Sequence, residues 1–324
     1  IQRALSSGNA GVFSASESGL LAFQGGAGEG TGTKLTWFDR SGKQIGVLGD
    51  SASYGDLGLS PDGKRVAASV LDPARRTRDI WIYDVARGLR TRFTFAADDQ
   101  SSLWSPDGSR VVFSSRRKGG HLDLYQKASD GSGTEAVLLE DNVDKNPMSW
   151  SPDGRSIFFT SAGGVTSGDL FVLPLSGDRK PIPFLKTQFN EQTGQFSPDG
   201  RWIAYTSNES GSNQIYVAPF PGPGGKWQIS TAGGVRARWR RDGTELFYLS
   251  VPGNDLMAAA VNGKGSSFEV GAVKPLFETR AFPGVGYPYA VSADGQRFLI
   301  NTLPEQSASA PITVVLNWTA ELKK

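Results

Sequence analysis

Apolar residues in this chain arrive in short bursts rather than long stripes. Val111-Val112-Phe113, Ile157-Phe158-Phe159, Ile203-Ala204-Tyr205 and Leu246-Phe247-Tyr248 form one set of β-branched and aromatic runs. At this length such composition favours strand over helix. A second set follows in each unit, as Ile80-Trp81-Ile82-Tyr83, Leu124-Tyr125, Leu170-Phe171-Val172 and Ile215-Tyr216-Val217, and gives way to Gly88, Gly131, Gly177 and Gly222. Glycine after an extended run marks a reversal of the chain. No segment beyond about ten residues carries a 3.6-residue apolar period, so the pattern predicts an all-β protein.

The bursts are punctuated by a repeat. Ser60-Pro61-Asp62-Gly63, Ser105-Pro106-Asp107-Gly108, Ser151-Pro152-Asp153-Gly154 and Ser197-Pro198-Asp199-Gly200 are identical tetrapeptides. Arg240-Arg241-Asp242-Gly243 and Ser292-Ala293-Asp294-Gly295 keep the Asp-Gly core, and Ser16-Glu17-Ser18-Gly19 keeps only the ends. Proline presets φ, aspartate bonds neighbouring backbone N–H groups, and glycine takes a positive φ at little cost, so each copy reads as a tight turn. An apolar or aromatic residue precedes every copy, namely Ala15, Leu59, Trp104, Trp150, Phe196, Trp239 and Val291, and closes the first strand of a unit. Successive motif glycines lie 43 to 52 residues apart, close to the roughly 40–50 residues of a four-stranded propeller blade. The expectation is a seven-bladed β-propeller of four-stranded antiparallel blades filling residues 1–324 as one domain; a six-bladed ring with one repeat absorbed elsewhere is the alternative. The last unit has strands at Tyr289–Val291, Phe298–Asn301 and Ile312–Leu316 and lacks a fourth, which Ile1 to Leu5 are placed to supply.

Composition narrows the chemistry. Thirty-four Lys and Arg against 32 Asp and Glu leave +2, far from the excess that phosphate contacts require, so nucleic acid is not an expected partner. The chain has no Cys and one His, His121. Disulfides, thiolate catalysis and multi-histidine zinc sites are thereby excluded, and His121 is expected in an exposed loop. The longest apolar run, Leu256 to Val261, is six residues, where a spanning helix needs about 20, so no membrane insertion by this segment is expected. The sequence opens without a charged and apolar leader, as a mature chain or a piece of a longer one would.

Kinase loops and a Gly-x-Ser-x-Gly elbow are absent from the sequence, and the glycine run from Gly25 to Gly32 has neither P-loop nor dinucleotide spacing and reads as a hairpin loop. The motif aspartates are expected to cap turns rather than form a metal ring. Asp79, Asp123, Asp169 and Asp255 read as strand-end residues that bond backbone. Trp104, Trp150 and Trp239 are expected to pack between blades, and Arg75-Arg76-Thr77-Arg78 and Arg116-Arg117-Lys118 read as solvated loops. No cofactor and no metal are expected.

The repeats resemble the bacterial WD40-like propeller repeats called PD40, seen in TolB and tricorn-type proteins. Leu35-Thr36-Trp37-Phe38-Asp39-Arg40-Ser41-Gly42-Lys43, Thr77-Arg78-Asp79-Ile80-Trp81, Gln228-Ile229-Ser230-Thr231-Ala232-Gly233-Gly234 and Trp239-Arg240-Arg241-Asp242-Gly243 look like the C-terminal propeller of bacterial, notably acidobacterial, Ser/Thr protein kinases. The resemblance implies a preceding kinase domain, usually a membrane segment, and an extracytoplasmic sensor role.

Chain direction sorts the loops. One mouth of the channel receives only Asp-Gly turns; the other receives the longer loops, where function concentrates. The expected ligand-binding residues, at the loop-bearing mouth, are Asp99, Gln100, Lys145, Asn146, Glu191, Gln192, Arg236, Arg238 and Tyr287. Val235-Arg236-Ala237-Arg238-Trp239 is the inner strand with two arginines where other repeats carry Asp56 and Gly58, or Pro147 and Ser149. A period of two puts both guanidinium groups on one face. They are expected either to pair with Glu191 or a neighbouring carboxylate or to hold the carboxylate or phosphate of a ligand. The expected function is a non-catalytic module that binds a small solute or a protein segment; the alternative is a propeller lyase or hydrolase working in the channel.

Overall fold

The computed structural model describes residues 12–16, 20–24, 32–162, 168–222, 224–265, 267–284, 286–304 and 312–316. They contain strands and no helix long and apolar enough to cross a membrane. The chain divides into two compact units. One carries a three-stranded antiparallel sheet in which Leu20–Gln24 lies between Val12–Ala15 and Ile312–Leu316. The other, Thr33–Leu303, is a β-propeller of six four-stranded antiparallel blades.

Blades one to five follow chain order and open with the strands Tyr54–Leu59, Asp99–Trp104, Asp144–Trp150, Glu191–Phe196 and Val235–Trp239. Blade six draws two strands from each end of the unit: Tyr289–Val291 and Arg297–Thr302 pair on through Thr33–Asp39 to Gln44–Ala52. The ring is six-bladed, which corrects the expected seven. Thr33–Asp39 is the third strand of the last blade, and Ile312–Leu316, expected in the last unit, belongs instead to the small sheet. The miscount has a physical origin. Motif spacing records where turns fall, whereas blade number is set by which strands share hydrogen bonds. Closure does use strands from both ends; Ile1 to Leu5 lie outside the described residues.

The repeated turn works as its residues suggest. In blade three the Ser151 hydroxyl donates to Asp153 Oδ1 at 2.6 Å, the same carboxylate oxygen accepts the Arg155 N–H at 3.0 Å, and Ser151 Oγ accepts the Ser156 N–H at 2.9 Å. Ser60, Ser105, Ser197 and Ser292 repeat the arrangement with Asp62, Asp107, Asp199 and Asp294. Trp104, Trp150 and Trp239 fill the wedges between blades one and two, two and three, and four and five, where a large side chain is needed because neighbouring sheets diverge outward.

The aspartates that open third strands depart from expectation in part. Asp79 pairs with Arg75 and with Arg92 at 2.9 Å, and Asp123 pairs with Lys145 at 2.9 Å, so both buried carboxylates anchor cations, and Asp123 accepts the Asp141 N–H at 3.2 Å as well. The basic loops are likewise tied down: Arg116 to Asp144, Arg117 to Asp99 and Glu135, Lys118 to Glu140. His121 is exposed, 3.5 Å from Asp144.

Candidate functional site

Inner strands of five blades break register against their neighbours: at Tyr54/Leu57, opposite Val112/Ser114, and at Pro147/Ser149, Gln192/Gln195 and Val235/Arg238. In blades two, four and five the extra residue sits at positive φ, Ser101 at 57°, Thr193 at 48° and Arg236 at 62°. A bulge re-aims the side chains that follow it. The simple alternation expected for Arg236, Arg238 and Arg240 therefore fails. Arg236 turns toward the segment before blade six, where its Nε donates to the Gly286 carbonyl at 2.6 Å and its Nη2 to that of Gly284. Arg240 turns away to Glu245 and Asp242.

Arg238 alone of the three enters the channel. Beside it lies a cavity of about 730 Å³ bordered by residues from all six blades, including the Ser-Pro-Asp-Gly turns, so it occupies the turn-bearing end. Its charged lining residues are Arg238, Arg241, Arg297, Asp56, Asp62 and Asp294, set among Trp37, Trp104, Trp150 and Trp239. The Arg238 Nε donates to the Tyr289 carbonyl at 3.0 Å and its Nη2 to the Leu57 carbonyl at 3.2 Å, while the guanidinium carbon stands 4.0 Å from the centre of the Tyr287 ring. Tyr287 is held from the other side, its hydroxyl donating to the Thr193 carbonyl at 2.9 Å. Burial pushes its phenol up to about 12, so the ring partner of Arg238 stays neutral at pH 7.

Neither arginine forms an ion pair with a carboxylate among the described residues, Glu191 included; backbone carbonyls take the place expected of carboxylates. Asp56 is fully engaged elsewhere. Its Oδ1 accepts the Ser69 hydroxyl and the Ser101 N–H, both at 2.9 Å, and its Oδ2 accepts the Ser102 N–H at 2.8 Å, which ties blade one to the bulge of blade two.

Of the residues expected at the loop-bearing mouth, the structure brings Arg238 and Tyr287 together and sets the others apart from this cavity. Asp99 accepts from Arg117 at 3.3 Å, and Lys145, with no exposed side-chain surface, donates to Asp123 and to the Val143 carbonyl at 2.7 Å. Asn146 accepts from the Ser101 hydroxyl at 3.2 Å, Glu191 is buried and accepts from Thr187, and Gln100 and Gln192 are half-buried. Burial raises the carboxyl pKa of Asp99 and of Glu191. Sequence reasoning passed over Asp56, Arg241 and Arg297. Asp56 carried a usable signal: of the residues aligned with Arg236, namely Asp56, Ser101, Pro147, Thr193 and Pro288, it is the one acid.

No family model matches the chain. Among solved structures, a TolB candidate from Agrobacterium tumefaciens superposes with a TM-score of 0.69 at 20% identity, over 84% of this chain and 98% of that one. TolB from Acinetobacter baumannii gives 0.58 at 20% identity over 77% of this chain, which spans 65% of that protein's length. An oligogalacturonate lyase from Vibrio parahaemolyticus gives 0.52 at 11% identity, over 95% and 83%. At these identities the likeness is one of fold: the larger unit is a TolB-like β-propeller.

Proposed function

We propose that this chain is a non-catalytic binding propeller whose ligand occupies the turn-bearing end of the central channel. One observation carries the reading: the cavity of about 730 Å³ lies in the size range of ligand sites and gathers residues from every blade, while both oxygens of its most buried carboxylate, Asp56, already hold donors, three in all. Asp62 and Asp294 are likewise engaged in their own turns. Such a lining can hold and orient a molecule, but an acid–base pair free to move protons is what hydrolysis or elimination requires.

The kinase-like stretches support a finer role, that of the sensor or interaction domain of a bacterial receptor-type Ser/Thr kinase, outside the cytoplasm. The ligand would then be a solute or a protein segment on that side of the membrane. A thermal-shift screen of small acids, sugars and peptides against the purified chain tests the binding role. Saturable stabilisation that Leu103→Trp abolishes by filling the channel is the expected result; turnover of a sugar or ester by the purified chain would replace binding with the lyase or hydrolase alternative. A ligand that stabilises the propeller yet leaves autophosphorylation of the parent kinase unchanged would remove the sensor role.

A further inference from the structure

We infer that the cavity takes a small amphiphilic acid, with a carboxylate or phosphate held by Arg238 and an apolar body against the tryptophan and proline walls; this rests on the binding role proposed above. A guanidinium has five N–H donors. Two of those on Arg238 are spent on the carbonyls of Tyr289 and Leu57, which leaves three without a partner among the described residues. Those carbonyl contacts fix the guanidinium plane, and Tyr287 supports one face. A planar donor so held needs no reorganisation to take an oxyanion in bidentate fashion.

The guanidinium also lacks an ion-pair partner among the described residues. Arg238, Arg241 and Arg297 form no ion pair among the described residues, although other arginines of the ring, such as Arg75, Arg92, Arg116 and Arg117, do. Arg241 donates to the Pro61 carbonyl at 3.0 Å, and Arg297 lies over the Trp37 ring at 5.6 Å. None of the three carboxylates of the lining is in ion-pair contact with them: Asp56 holds donors from Ser69, Ser101 and Ser102, and Asp62 and Asp294 hold Ser60 and Ser292 in their turns. Arg238 is the one of the three withdrawn from water, Arg241 and Arg297 being exposed, and an arriving oxyanion relieves the cost of its burial where a neutral or cationic molecule cannot. Pro61, Pro106, Pro152 and Pro198 beside the tryptophans give the cavity apolar walls for the body of such a molecule, between the serines of the turns.

The test is calorimetric titration of the whole chain with phenylacetate, phenyl phosphate, inorganic phosphate and the neutral isostere phenylacetamide. The two aromatic anions are expected to bind at least tenfold more tightly than the amide and than inorganic phosphate, and their ratio distinguishes a carboxylate from a phosphate ligand. Arg238→Gln keeps a donor for the carbonyls and should erase the preference for anions, and Arg241→Gln with Arg297→Gln should weaken anion binding several-fold with the interior untouched. Lys118→Gln, on an exposed loop outside the cavity, should leave anion affinity unchanged. Amide and anions binding alike, with both blocked by Leu103→Trp, would overturn the anion preference while leaving the binding role intact. If none of these probes binds, the anion inference falls; if the wider screen is also empty, the binding role falls with it.

Discussion

The two ends of the channel use aspartate and glutamate in opposite ways. At the turn-bearing end, serine hydroxyls and backbone N–H groups hold the carboxyls of Asp62, Asp107, Asp153 and Asp294 below the usual range, Asp107 at about 2. At the loop-bearing end, Asp99 and Glu191 are buried at the start of inner strands, each with one carboxylate oxygen lacking a partner, and burial raises both. One end is built from a local motif that satisfies itself within five residues. The other depends on long-range ion pairs such as Lys145 with Asp123. Regular turns therefore make a tolerant rim around the cavity, while the irregular end holds the more fragile electrostatics.

Lys145→Ala should break the contrast most severely. It leaves the buried Asp123 carboxylate without its cation, a change that costs about 3–5 kcal/mol, whereas Lys145→Met combined with Asp123→Leu should recover most of the loss. Chemical denaturation of the three proteins checks both. Midway along the channel, Asp56→Ala strands the Ser101 and Ser102 N–H groups and should cost about 2–3 kcal/mol. At the turn-bearing end, Asp153→Ala should cost only about 1 kcal/mol and leave ligand affinity intact; a stable variant that lost its ligand would place function in the turns.

The smallest effect is in pH dependence, and its sign differs between the ends. Depressed carboxyls contribute stability that is present above the unfolded value near 4 and is lost as pH falls through the folded values, so the turns weaken in acid. Raised carboxyls contribute stability that is complete below the unfolded value and is lost as pH rises through the folded one. Glu191→Gln should therefore raise the melting temperature slightly at pH 7.5 and flatten its change with pH above the unfolded value near 4, while Asp153→Asn should flatten it only below pH 4. A Glu191→Gln profile parallel to that of the parent would show that Glu191 does not titrate apart from its unfolded state.

Strand positions were legible because each rests on local chemistry: a turn tetrapeptide, then β-branched and aromatic residues at fixed distance. The number of blades was not, because Ser16-Glu17-Ser18-Gly19 shares spacing with the turns but lacks their Asp-Gly core, and Leu20–Gln24 after it pairs with Val12–Ala15 and with Ile312–Leu316. The site was half legible. Arg238 and Tyr287 stood out by residue type and do meet. The end of the channel at which they meet was hidden by bulges at Ser101, Thr193 and Arg236, residues that give no glycine-like sign of positive φ. The acceptors that hold the arginines were hidden too, since every residue carries a carbonyl and composition cannot say which one a guanidinium will reach.

Blade six also decides how the ring answers to force. Thr33–Asp39 and Arg297–Thr302 run antiparallel, with Lys34 opposite Thr302 and Asp39 opposite Arg297. Tension applied at Thr33 and Leu303 meets the Lys34–Thr302 rung first and then Leu35–Asn301, so the rungs bear the load in succession instead of sharing it. The propeller is thus a clasp that unzips from its own two ends. Single-molecule pulling at those positions should open blade six before any other, at a lower force than pulling along the strands of blade three.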